Sequence, residues 1–144
     1  MHRDIRPENV LVTPEGPIAL SSFHFATQHR DGCDKLTEGF PATGFLAPEM
    51  VSARRTKYGY DRTSDVWAFG MVMLDMITGQ VNVSAVSSED LERYNLMIPY
   101  VVHNLIDAFV DDALASDLLH SILQEDPLCR PSWDTIKNHP FFLA

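Results

Sequence analysis

The sequence predicts a mainly α fold: a helical bundle around a buried central helix, with one small β-hairpin. Three observations carry this. Between residues 66 and 77, Val66, Trp67, Phe69, Met71, Val72, Met73, Leu74, Met76 and Ile77 leave almost no polar face, and a helix that is apolar all round is a buried one. Residues 113–124 set Leu114, Leu118, Leu119, Ile122 and Leu123 on one stripe, the pattern of a helix that packs a single face. Val10-Leu11-Val12 and Ile18-Ala19-Leu20 are short apolar runs on either side of Thr13-Pro14-Glu15-Gly16-Pro17, so turn formers join two strand-like segments into a hairpin.

The remaining elements follow in chain order. Residues 22–46 have no helical period and scattered Gly, Pro, Asp and Thr; a loop this long is usually functional or mobile. A short helix starts near Pro48, since proline suits a first turn. Ser64 is expected to cap the central helix, which runs to about Thr78 and stops at Gly79. Met71, Met73 and Met76 read as core packing within it. Ser87-Ser88-Glu89-Asp90 opens another helix, with Ser87 and Asp90 able to form a capping box. Ser132 caps the last helix, toward Lys137. There is no internal repeat and no low-complexity segment.

With 144 residues, 45% of them hydrophobic, the chain can build one domain with a sizeable core. It has no run of 18 apolar residues that would cross a membrane, and charged residues follow Met1 at once, so no signal peptide is expected. Two cysteines, Cys33 and Cys129, do not make a disulfide framework. A reducing compartment fits, with the cytoplasm expected and the nucleus as the alternative. The net charge of −9 lies entirely in residues 64–144, which hold three basic and twelve acidic residues, while residues 1–63 hold eight of each. Such a balance argues against nucleic-acid or anionic-membrane binding.

The residues that point to chemistry lie at the start. His2-Arg3-Asp4 is followed five residues later by Asn9, an acid able to accept a hydroxyl proton close to an amide able to hold a metal. Downstream come Ser21-Ser22-Phe23-His24, Ala47-Pro48-Glu49, Asp65-Val66-Trp67-Ala68-Phe69-Gly70, Cys129-Arg130-Pro131-Ser132 and His139-Pro140-Phe141-Phe142. In this order and spacing they resemble the C-terminal lobe of the protein kinase superfamily, of the Ser/Thr type. The resemblance implies that residues 1–144 are a partial protein-kinase-like domain, from catalytic loop to final C-lobe helix. On this resemblance the nucleotide-gripping N-lobe and the early C-lobe helices are absent from these residues, and an N-lobe is a candidate partner in cis or in trans.

The same resemblance implies roles. Asp4 matches the catalytic Asp, which accepts the hydroxyl proton. Arg6 stands where Ser/Thr kinases have Lys, keeping the charge as a planar fork in place of a compact ammonium. Asn9, Leu11 and Ser22 match cofactor-binding positions, with Asn9 the ligand of a second metal, so ATP and Mg²⁺ are the implied cofactors. Ser22, however, occupies the DFG acid position, and a neutral hydroxyl is a poor ligand for a hard cation. His24 replaces the Gly of that motif. Phe23 is retained and is expected to pack in the core beside His2. Ala42 falls where a Thr usually bonds the catalytic Asp, and Thr43 could replace it only by a one-residue shift. Glu49 and Arg130 match a buried ion pair, and Asp65 an acid that accepts bonds from the catalytic-loop backbone. The expectation is a pseudokinase that binds a protein partner, or a part of a longer one; the alternative is a degraded but active Ser/Thr kinase.

Weaker features have ordinary explanations. Thr27, Thr37 and Thr43 read as loop threonines, although Arg3 could receive a phosphate there. His24, His29, Cys33 and Asp34 are too loosely spaced for a zinc site. His103, His120 and His139 read as ordinary helix or loop residues, and Arg54-Arg55-Thr56-Lys57 as a solvated turn.

Overall fold

A computed structural model describes residues 1–14, 16–28, 41, 43–56, 59–79 and 88–143. It is mainly helical with one two-stranded sheet, the class expected. β1 (Val10–Val12) and β2 (Ile18–Leu20) pair antiparallel, with Val10 opposite Leu20 and Val12 opposite Ile18. Among the described residues six helices follow: α1 (Pro48–Thr56), α2 (Thr63–Thr78), α3 (Ser88–Phe109), α4 (Ala113–Ile122), α5 (Trp133–Lys137) and α6 (Pro140–Leu143). Single 3₁₀ turns lie at Pro7–Asn9, Phe23–Phe25 and Pro127–Cys129. The second of these falls inside the segment expected to be plain loop. Arg54, Arg55 and Thr56 belong to the last turn of α1, so the basic run starts within that helix and not after it.

α2 is the centre of the core. Val66, Trp67, Met71, Val72 and Leu74 are buried in it, against Val102 and Ile106 of α3 and Leu118, Leu119 and Ile122 of α4. Burial stops one turn before the end: Met76 is 72% exposed and Ile77 43%, so Met76 is not core packing. The helix start also differs. Ser64 lies inside the helix and its hydroxyl donates back to the Asp61 carbonyl at 2.7 Å. The capping is done by Asp61, whose Oδ1 accepts from the Thr63 N–H at 2.9 Å and the Thr63 hydroxyl at 2.7 Å. A carboxylate there satisfies an orphan first-turn N–H and favours the helix dipole. The stop is as expected: Gly79 takes φ 63° and its N–H bonds the Asp75 carbonyl.

α4 begins with Asp112, whose Oδ1 accepts from Ala115 N–H at 2.7 Å. Its inward stripe is Ala115, Leu118, Leu119 and Ile122, continued by Leu123, while Leu114 is 37% exposed at the stripe's edge. Ser132 caps α5 through the Thr135 N–H at 3.1 Å, but α5 is not the last helix, because α6 follows His139. Trp133 of α5 stands edge-on to Phe69 of α2, centroids 5.5 Å apart.

The expectations for His29, Cys33, Asp34, Thr37, Ala42, Lys57 and Ser87 lie outside the described residues. Cys129 is a free, exposed thiol. No helix among the described residues is long and apolar enough to cross a membrane.

Candidate functional site

Asp65, in the first turn of α2, builds the site's floor. Its Oδ2 accepts from His2 N–H at 2.7 Å and its Oδ1 from Arg3 N–H at 2.8 Å. The chain needs this anchor, because Arg3 adopts φ 69°, a left-handed conformation that costs a side-chain-bearing residue roughly 1–2 kcal/mol. The Arg3 guanidinium is engaged as well, with Nε on the Phe25 carbonyl and Nη1 on the Tyr60 hydroxyl at 3.1 Å. His2 Nδ1 accepts the Asp4 N–H at 3.3 Å, which leaves Nε2–H to donate to the Ser21 carbonyl at 2.9 Å; the tautomer follows from these partners. Arg3 thus tethers residues 23–25, and His2 residue 21, to the opening loop.

Within that loop Asn9 holds Asp4. The Asn9 amide donates to the Asp4 carbonyl and to Asp4 Oδ2, both at 2.8 Å. Both amide hydrogens are spent, so the remaining polar atom of Asn9 is its acceptor oxygen. Asp4 is buried, and its other oxygen, Oδ1, has no hydrogen-bond partner among the described residues. Arg6 Nε lies 3.8 Å from that oxygen and 3.4 Å from Glu8 Oε2, ion-pair distances without hydrogen-bond geometry. The pattern is a carboxylate fixed on one side and left with a free acceptor on the other, beside a permanent cation. Such a group can accept a proton or a donor hydrogen bond.

Ser22 follows with φ 61° and ψ 62°, and its hydroxyl lies 3.5 Å from His24 Nδ1. Phe23 meets His2 edge-on, centroids 5.0 Å apart. The contact is the one expected but its setting is not, since Phe23 is 63% exposed and packs in no core. Leu11 is exposed on β1. Among the described residues, no cluster of three or more His, Cys, Asp or Glu could hold a metal. Of the two carboxylates in the opening loop, Glu8 faces Arg6 at 3.4 Å and Asp4 keeps one oxygen without a hydrogen-bond partner, while Asn9 and Ser22 add only neutral oxygens. Mg²⁺ is bound through one or two carboxylates plus phosphate oxygens in near-ideal octahedra, and Ser22 contributes no charge to such a set.

The loop entering α1 is held from two sides. The Asn95 amide of α3 donates to the Thr43 carbonyl at 2.9 Å. The Thr43 hydroxyl turns to the Phe45 N–H at 3.4 Å, serving its own loop instead of replacing the missing Thr partner of Asp4. At the start of α1, Glu49 takes both terminal nitrogens of Arg130, at 2.7 and 2.8 Å. Arg130 also donates to the carbonyls of Gln124, Thr63 and Glu125.

Sequence reasoning missed three contributors. Asn95 carries a weak signal, a lone amide inside an otherwise apolar helix face. Tyr60 carries none, being one of two tyrosines in the short link between α1 and α2. Gly70 carries the strongest, as the last residue of the Asp65–Gly70 motif: a Cβ there would stand 2.5 Å from Ile122 Cγ2 and 2.9 Å from Leu123 Cδ2, so only glycine lets α2 and α4 approach this closely.

A family model described as "Protein kinase domain" matches residues 1–142. The chain is 34% identical over 151 aligned residues to serine/threonine-protein kinase YPK2/YKR2 of Saccharomyces cerevisiae, covering 99% of this chain and 20% of that protein. It is 31% identical over 149 residues to the phosphorylase b kinase gamma catalytic chain, liver/testis isoform, of Mus musculus, covering 99% and 35%. With sperm motility kinase 2B of Mus musculus it shares 30% over 142 residues, covering 98% and 27%. The chain thus spans between 20% and 35% of the length of these relatives.

Proposed function

The chain belongs to the protein kinase superfamily, and from that premise we propose that it is a pseudokinase-type C-lobe, inactive in phosphoryl transfer, that acts by binding a protein partner. The observation that carries this is Ser22. Phosphoryl transfer depends on metal ions that neutralise the phosphate oxygens. At the position where the family places its metal-binding acid stands a neutral hydroxyl, directed toward His24 at 3.5 Å. Scaffold functions survive beside it: Asp65 still holds the opening loop, and Arg130 still holds Glu49.

The test is a phosphotransfer assay with Mg²⁺ and ATP on the purified chain, and on a longer form carrying an N-lobe. No transfer is expected from either. Transfer that Asp4→Asn abolishes would overturn the proposal. In the longer form, Ser22→Asp with His24→Gly is expected to create activity where the unmodified protein has none.

One observation favours a second reading, a degraded but active Ser/Thr kinase. Asn9 still orients Asp4 and leaves Oδ1 free to accept a proton. On this reading ATP and Mg²⁺ are the cofactors, Asn9 supplies a metal ligand, Arg6 faces the transferred phosphate and the substrate is a protein Ser or Thr. The same assay separates the two, since activity without the Ser22 and His24 replacements supports only the second.

A further inference from the structure

Where α3 crosses α4, two histidines seventeen positions apart meet ring to ring. The His103 and His120 rings have centroids 4.9 Å apart and planes 4° from parallel. Their Nδ1 atoms are 2.7 Å apart, and His120 Nε2 lies 2.9 Å from Asp107 Oδ1. A 2.7 Å separation is a hydrogen-bond distance. Two nitrogens sharing one zinc at about 2.0–2.1 Å in a tetrahedron would stand about 3.3 Å apart, so the pair is bridged by a proton and not by a metal.

Counting protons defines what this arrangement tolerates. One hydrogen serves the Nδ1–Nδ1 edge. A second, on His120 Nε2, faces the Asp107 carboxylate. A third can sit on the remaining nitrogen of His103 without disturbing either contact. Three protons on four nitrogens give the pair one positive charge opposite Asp107. A fourth sets N–H against N–H at 2.7 Å and breaks the edge. Titration of such a pair is a property of both rings together.

We propose that His103 and His120 form a pH-sensitive clasp between α3 and α4, which accepts one proton and is opened by a second. Acid then loosens the contact between the two helices. Burial and the charge of His120 both push His103 below its ordinary value of 6.5, against a smaller upward pull from Asp107 and the Leu123 carbonyl. A folded value below the unfolded one means that the stabilising contribution is present above pH 6.5 and is lost as the pH falls through the folded value. The neighbouring charges are few. Asp107 is the carboxylate of α3 that acts on His103; on α4, Asp117 is taken up by His139 at 3.1 Å. α3 also carries Asn95, which holds the Thr43 carbonyl, so this helix links the clasp to the loop entering α1.

The experiment follows the imidazole nitrogens by NMR, together with amide hydrogen exchange, in the full 144-residue chain between pH 7.5 and 4.5. Two coupled steps are expected. Through the second, exchange of the α3 and α4 amides, corrected for intrinsic rates, should accelerate by up to about tenfold per pH unit, the limit for one proton taken up on opening. In His120→Gln, His103 should titrate in a single step at higher pH, with a weaker acceleration, because burial alone still opposes its charge. Asp107→Asn, at an exposed site, should move the second step to lower pH, and it decides the matter if His120→Gln does not fold. Independent single-site curves, a second step unmoved by Asp107→Asn, or exchange that stays flat through it would each overturn the proposal.

Discussion

Glu49 and Arg130, 81 positions apart, form a two-pronged ion pair with both N–O distances under 3 Å, at 2.7 and 2.8 Å. The Arg130 side chain is fully buried and Glu49 14% exposed. Arg130 also lies over the Trp67 ring, 5.1 Å from its centroid. The pair therefore ties three places together: the start of α1, the core face of α2 and the link between α4 and α5.

Breaking such a pair from one side leaves a buried charge unpaired. Glu49→Ala is expected to destabilise the chain by about 3–5 kcal/mol in denaturant titration. Glu49→Ala with Arg130→Met should cost less than the sum of the single changes, because no orphan charge remains. A loss below about 1 kcal/mol for Glu49→Ala would show that the pair holds nothing together.

Asp65→Asn keeps the shape at the α2 start but replaces one acceptor oxygen with a donor. One of the N–H groups of His2 and Arg3 then faces an NH₂ group. Hydrogen bonds to a charged acceptor contribute about 1.5–3 kcal/mol, and a loss of that size is expected. It should be concentrated as faster amide exchange at Arg3 and its neighbours. Exchange that accelerates evenly across the chain would contradict the local role.

Gly70→Ala forces a methyl group against Ile122 and Leu123, at separations of 2.5 and 2.9 Å before relaxation. Overpacking of this kind costs about 1–3 kcal/mol. Adding Ile122→Ala makes room, so the double variant should lose less stability than the two single losses combined. Simple additivity would place the strain elsewhere.

Tyr94 titrates late. Burial, and then the charge of Asp75, push its phenol from 10.0 up to about 12. A folded value above the unfolded one means that the folded state keeps its proton longer. The associated stability is whole below pH 10 and is lost as the pH rises toward 12. Ultraviolet titration of the folded chain should show one of the four tyrosines ionising near 12, and Tyr94→Phe should remove that step.

Much of this was legible before the structure. The helices at 48, 63–78, 88, 113–122 and 133–137 follow from apolar period and end signals, and the hairpin from two runs around a turn. Glu49, Asp65 and Arg130 were recoverable because each sits inside a short contiguous motif. Capping was read one residue too simply at α2: Ser64 is a good cap by type, but Asp61 reaches the same first turn with a charge. Met76 misled because composition shows that a helix is apolar, not where its neighbours end. Phe23 misled similarly, its partner His2 being present without a core around the ring.

The sequence by itself determined the class of fold, the family and the chemical poverty of the Ser22 position, because all three depend on residue type and short spacing. Only the tertiary structure decided which distant groups meet. The free oxygen of Asp4, the grip of Asn95 on Thr43, the closeness of α2 and α4 at Gly70 and the 2.7 Å approach of His103 to His120 each depend on how elements sit or cross within an ångström. Hydrogen bonds and packing contacts fade over that distance, and spacing along a chain does not specify it.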